Sequence, residues 1–77
     1  MAFKFDYLLK KRPALSETIF LTSNTGNCIT IVGETLGTYQ YNEKEETLQV
    51  SYITEAPHLI GRMYDLSIII RVERRIK

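Results

Sequence analysis

The sequence predicts an all-β fold, a small antiparallel β domain of five or six strands, on three observations. Twenty of the 77 residues are β-branched (nine Ile, three Val, eight Thr), the side chains that pack well on a pleated surface and lose rotamer freedom in helices. Apolar residues recur mainly at every second position, the period of a half-buried strand. Turn-forming clusters, above all Asn24-Thr25-Gly26-Asn27, separate the alternating stretches.

Residues 3–9 place Phe3, Phe5, Tyr7 and Leu9 opposite Lys4 and Asp6, which predicts a strand or arm within a basic N-terminal segment, 1–12. Helix is the competing reading, because Phe3, Tyr7 and Leu8 also share a helical side. Lys10-Lys11-Arg12-Pro13 ends the pattern, since Pro13 lacks an N–H and holds Arg12 extended.

Residues 18–23 and 28–32 form a predicted hairpin around Asn24–Asn27. Pairing centred on Thr25-Gly26 puts Ile19, Leu21, Cys28, Thr30 and Val32 on one face. Phe20, Thr22, Ile29 and Ile31 fall on the other, so both faces read as apolar and need cover. Cys28 is expected as a small buried hydrophobe. Residues 36–42 and 47–54 form a second hairpin with the charged tip Glu43-Lys44-Glu45-Glu46. A four-residue loop sets Tyr41 opposite Leu48 and Tyr39 opposite Val50, on the core side. A loop one residue shorter or longer would turn both tyrosines outward.

Pro57–Gly61 reads as a single helical or 3₁₀ turn, and 64–73 as the last strand. Leu66, Ile68, Ile70 and Val72 are expected inside, Ile76 continuing that phase, with Ile69 on the outer face. A short helical turn before the last strand resembles the layout of an SH3-like, partly open barrel more than an OB-fold. A helix over 13–21, with Pro13, Leu15 and Ile19 on one side, is the structural alternative.

The chain, 1–77, is expected to be a single domain, since half its length would not support a core. No apolar run approaches a membrane span, and Lys4, Asp6, Lys10 and Lys11 interrupt any signal-peptide core. One cysteine and one histidine, His58, provide neither a disulfide framework nor a zinc site; the expected setting is intracellular, reducing and cytoplasmic, with no metal or cofactor.

The catalytic inventory is thin. His58 beside Pro57 reads as an exposed turn residue, and Glu43, Glu45 and Glu46 sit where water prevents the raised pKa that general-acid work needs. Gly33-Glu34-Thr35-Leu36-Gly37 precedes a strand and lacks the Lys-Ser/Thr of a phosphate loop. The expectation is that the protein is not an enzyme and has no small-molecule substrate.

Charge is segregated. The net +1 comprises a basic start (Lys4, Lys10, Lys11, Arg12), a basic end over 71–77 (Arg71, Arg74, Arg75, Lys77) and an acidic middle. That pattern suits an anionic partner or head-to-tail contact between copies. The leading expectation is a non-enzymatic protein–protein interaction or assembly module: a homo-oligomeric or accessory subunit, or a small regulator. Phe20, Ile29, Ile31 and Ile69 would supply apolar contact, and Arg71, Arg74 and Arg75 charge. The alternative is a small β-barrel nucleic-acid-binding protein. It would stack bases on Tyr39, Tyr41, Tyr52 and Tyr64, with Arg71, Arg74, Arg75 and Lys77 against phosphate.

Overall fold

The alternating stretches become six antiparallel strands in two three-stranded sheets, in a computed structural model that describes residues 4–53 and 59–76. The strands are β1 (Glu17–Ser23), β2 (Cys28–Val32), β3 (Leu36–Asn42), β4 (Thr47–Ile53), β5 (Leu59–Asp65) and β6 (Ile69–Ile76). The first sheet has the order β2-β1-β6 and the second β3-β4-β5; among the described residues they do not close into a barrel. Two 3₁₀ turns hand the chain between sheets. Gly33–Thr35 joins β2 to β3, and Leu66–Ile68 joins β5 to β6. The core lies between the sheets. Ile19, Leu21, Ile31, Ile69 and Val72 come from the first, and Leu36, Leu48 and Val50 from the second, joined by Leu9 and Leu66. Each such side chain stabilises the fold by roughly 1.5–3 kcal/mol.

Residues 6–9 are helix rather than strand: α1 (Asp6–Leu9) buries Leu9, packs Phe5 and Leu8 on the core, and exposes Tyr7. Tertiary partners override the local alternation. Arg74 Nη1 donates to the carbonyls of Leu8 (2.9 Å) and Lys11 (2.8 Å), and the Tyr39 hydroxyl donates to the Leu9 carbonyl. These satisfy carbonyls that an isolated single turn would leave unpaired. No helix forms over 13–21. Glu17 N–H closes a turn on the Ala14 carbonyl, and β1 begins there.

The first hairpin differs from its expected register by one residue. The pairs are Thr22↔Cys28, Leu21↔Ile29, Phe20↔Thr30 and Ile19↔Ile31. Ser23 N–H reaches the Asn27 carbonyl at 2.9 Å, which leaves Asn24, Thr25 and Gly26 as the loop, with Gly26 at φ 89°. A three-residue loop ending in a left-handed glycine is a standard hairpin closure, and its odd length shifts the pairing centre from Thr25-Gly26 to Thr25. Ile29 and Ile31 therefore join Ile19 and Leu21 inside. Cys28, expected in the core, is exposed.

The second hairpin has the expected four-residue loop, with Asn42↔Thr47, Tyr41↔Leu48 and Tyr39↔Val50 in register. Glu46 takes φ 52° to complete it. A bulge between Leu36 and Thr38 is closed by Ser51, whose Oγ accepts Thr38 N–H at 3.0 Å.

The chain from 59 to 76 also departs from expectation. Leu59–Gly61 belongs to β5 rather than to a turn, while Pro57 and His58 lie outside the described residues. The helical turn before the last strand is Leu66–Ile68. That turn and a bulge beside Ser23 replace alternation with a spacing of three: Leu66, Ile69 and Val72 are buried, Ile68, Ile70 and Ile76 exposed.

Candidate functional site

The outer face of the β2-β1-β6 sheet gathers the residues not claimed by the core. Across the strands, Cys28, Thr22 and Arg71 form one row, Thr30, Phe20 and Glu73 a second, and Val32, Thr18 and Arg75 a third. Period two along three paired strands brings these side chains to one surface. They surround a shallow depression of about 210 Å³, lined by Phe20, Thr22, Cys28, Arg71, Glu73 and Arg75.

Electrostatics define its character. Arg75 pairs with Glu73 at 3.0 Å, and Arg71 approaches the same carboxylate at 3.9 Å. The Arg75 guanidinium also sits 5.5 Å over the Phe20 ring centroid, which restricts it through a cation–π contact. The arginine side chains remain 69% (Arg71) and 64% (Arg75) exposed. Two guanidiniums around one carboxylate leave positive charge and unfilled donors beside an aromatic ring. Chemically, the arrangement can hold an anion; a guanidinium presents five N–H donors in a fork suited to carboxylate or phosphate.

Only three of the seven residues expected to contact a partner meet here: Phe20, Arg71 and Arg75. Ile31 and Ile69 are buried, and Ile29 packs against the core, consequences of the three-residue loop and of the 3₁₀ turn before β6. Arg74 is a structural brace. Its Nε and Nη2 grip both Glu17 oxygens at 3.1 and 2.8 Å while Nη1 holds the Leu8 and Lys11 carbonyls. Arg74, together with the Ala14 N–H that Glu17 also accepts, holds the Glu17 carboxyl down at about 2. Arg12 is likewise engaged, donating to the Leu36 and Gly37 carbonyls at 2.9 Å. The two basic ends meet through Arg74, which holds the Leu8 and Lys11 carbonyls, while Arg12 is taken up by the backbone of β3.

The tyrosines make no exposed platform. Tyr39, Tyr41, Tyr52 and Tyr64 are partly buried against the core. Burial pushes the Tyr39 phenol up to about 12, and raises Tyr41 and Tyr52 above the usual phenol range. Lys77 lies outside the described residues. Glu73, Thr22 and Cys28 are the site residues that sequence reasoning did not name; for Cys28 the signal is Gly26, read as the left-handed end of an odd loop that turns it to the Phe20 face.

Among the described residues, no three His, Cys, Asp or Glu side chains cluster as metal ligands, and no helix is long and apolar enough to cross a membrane. No protein-family model, curated protein or solved structure matches this chain.

Proposed function

We propose that the chain is a non-enzymatic protein-interaction module that docks an acidic protein segment on the outer face of its β2-β1-β6 sheet. The observation that supports it is the convergence of two exposed guanidiniums, Arg71 and Arg75, on a single carboxylate beside the Phe20 ring. A shallow, charged, partly aromatic surface suits recognition better than catalysis, because it supplies no desolvated acid or base and its thiol, Cys28, is exposed. A depression this small supports weak, salt-sensitive binding, with Kd on the order of 0.1–1 mM at low ionic strength.

Nuclear magnetic resonance titration of the ¹⁵N-labelled chain with a synthetic Glu-rich peptide tests this reading. Amide shifts are expected over Phe20–Thr22, Cys28 and Arg71–Arg75, and their loss is expected in R71E/R75E. If an oligonucleotide moves these amides with a steep salt dependence and the peptide does not, the nucleic-acid alternative replaces it. Strand-edge docking is a second mode of the same interaction function. It is favoured by the four edge strands β2, β3, β5 and β6, each with a single sheet neighbour among the described residues.

A further inference from the structure

We infer that the acidic segment docked in this depression is the Glu43–Glu46 hairpin tip of a second copy of the chain. The inference rests on the docking role proposed above and names its partner. Arg71, Glu73 and Arg75 stand at alternate positions of β6 on one face, so the depression presents the charge order plus, minus, plus. The tip Glu43-Lys44-Glu45 presents minus, plus, minus, with Glu46 adding a further carboxylate. Set against each other, Glu43 and Glu45 meet the two guanidiniums while Lys44 meets the Glu73 carboxylate.

The spans agree. The Cα atoms of Arg71 and Arg75 lie roughly 13 Å apart along the strand, but both side chains bend inward to one carboxylate. Their heads are therefore drawn together toward the reach of two glutamates on a single turn. The tip keeps a fixed shape, because Glu45 N–H donates to Asn42 Oδ1 at 3.0 Å and the Glu46 carbonyl accepts Leu66 N–H at 2.8 Å. Glu43, Glu45 and Glu46 enter no ion pair within the described residues, and the tip does not reach the depression of its own chain. The contact is thus between copies, with the same two surfaces on each. Unlike a strand-edge interface, it depends on charge.

Sedimentation equilibrium from about 10 μM to 1 mM tests the inference, a range chosen to bracket the weak affinity that a small charged contact supports. At low salt the mass is expected to climb above 8.9 kDa, and to return to it in about 0.5 M NaCl, where such contacts are screened. E43K/E45K and R71E/R75E are each expected to weaken association by at least about tenfold. An equimolar mixture of the two is expected to associate again, because it retains one native tip and one native depression. Circular dichroism on each variant confirms that these exposed reversals leave the fold intact. A monomer at about 1 mM in low salt overturns the inference. Association that survives both reversals also overturns it and points to strand edges. If the Glu-rich peptide still binds while the chain stays monomeric, the partner is another acidic protein and the docking role stands. If the peptide fails as well, both readings fall.

Discussion

The two 3₁₀ turns perform the same task by different physics. Each carries the chain from one sheet to the other, Gly33–Thr35 after β2 and Leu66–Ile68 after β5. The first is tightest at a steric contact, although Thr35 Oγ1 also donates to the Val32 carbonyl at 3.5 Å. A Cβ on Gly33 would lie 1.9 Å from the Ala14 carbonyl oxygen and 2.9 Å from that of Glu17, so the backbone of 14–17 presses directly on the turn. The second is held by polar bonds. Asp65 Oδ1 accepts Ser67 N–H at 3.0 Å and its hydroxyl at 2.7 Å. The two hairpin loops grip its ends, through Asn24 N–H on the Ile68 carbonyl and Leu66 N–H on the Glu46 carbonyl, both at 2.8 Å. A contact-held corner has no tolerance for added volume, whereas a bonded corner loses its supports one at a time.

The sharpest way to break this contrast is Gly33→Ala. It is expected to destabilise by about 3 kcal/mol, a large share of the stability of a domain this size, and to lower Tm by roughly 12–24 °C. A thermal melt within about 3 °C of wild type would show that the wall at Ala14 yields freely.

A milder way is to loosen the wall itself through Glu17→Gln. Glu17 has a folded pKa of about 2 against an ordinary 4.5, so its contribution is complete above the ordinary value and is lost as pH falls through the lower one. The gap in urea midpoint between wild type and variant is therefore expected to be full at pH 7, to narrow from about 4.5 to about 2, and to close below that. A gap independent of pH would mean that the carboxylate charge does not matter.

The smallest effect belongs to Asp65→Ala, which removes two bonds from the second corner but leaves both loop contacts. A drop of about 3–6 °C in Tm at pH 7 is expected. The Asp65 carboxyl is held below its ordinary value by Ser67, so the drop should shrink in acid. A loss as large as that of Gly33→Ala would erase the distinction between the corners.

The same contrast explains what was legible in the chain. Strand identity over β1 to β4 follows from alternation, because those stretches bury one face each. The tyrosine register was legible too, since only one loop length placed Tyr39 and Tyr41 with Leu48 and Val50. What escaped were the points where the period changes. Gly33 stands out in the sequence, yet its reason lies in Ala14, nineteen residues earlier and adjacent only in space. The second corner hides inside Leu66–Ile70, where five residues of apparent strand contain a tight turn and a bulge. Asn24 and Glu46, which brace it, carry no local signal of that role. The docking face inherited both uncertainties. A one-residue difference in the first loop moved Cys28 outward and Ile31 inward, and the hidden turn moved Ile69 into the core.

One consequence concerns the order in which the molecule can assemble. β1 is the middle strand of its sheet, and its second neighbour is β6, so Glu17 pairs with Ile76 across most of the polypeptide. The β3–β4 ribbon pairs residues close in sequence, whereas β1 lacks its second neighbour until β6 docks. Long-range pairings of this kind slow folding in general, and a molecule in which β6 has not docked leaves one flank of β1 without its partner.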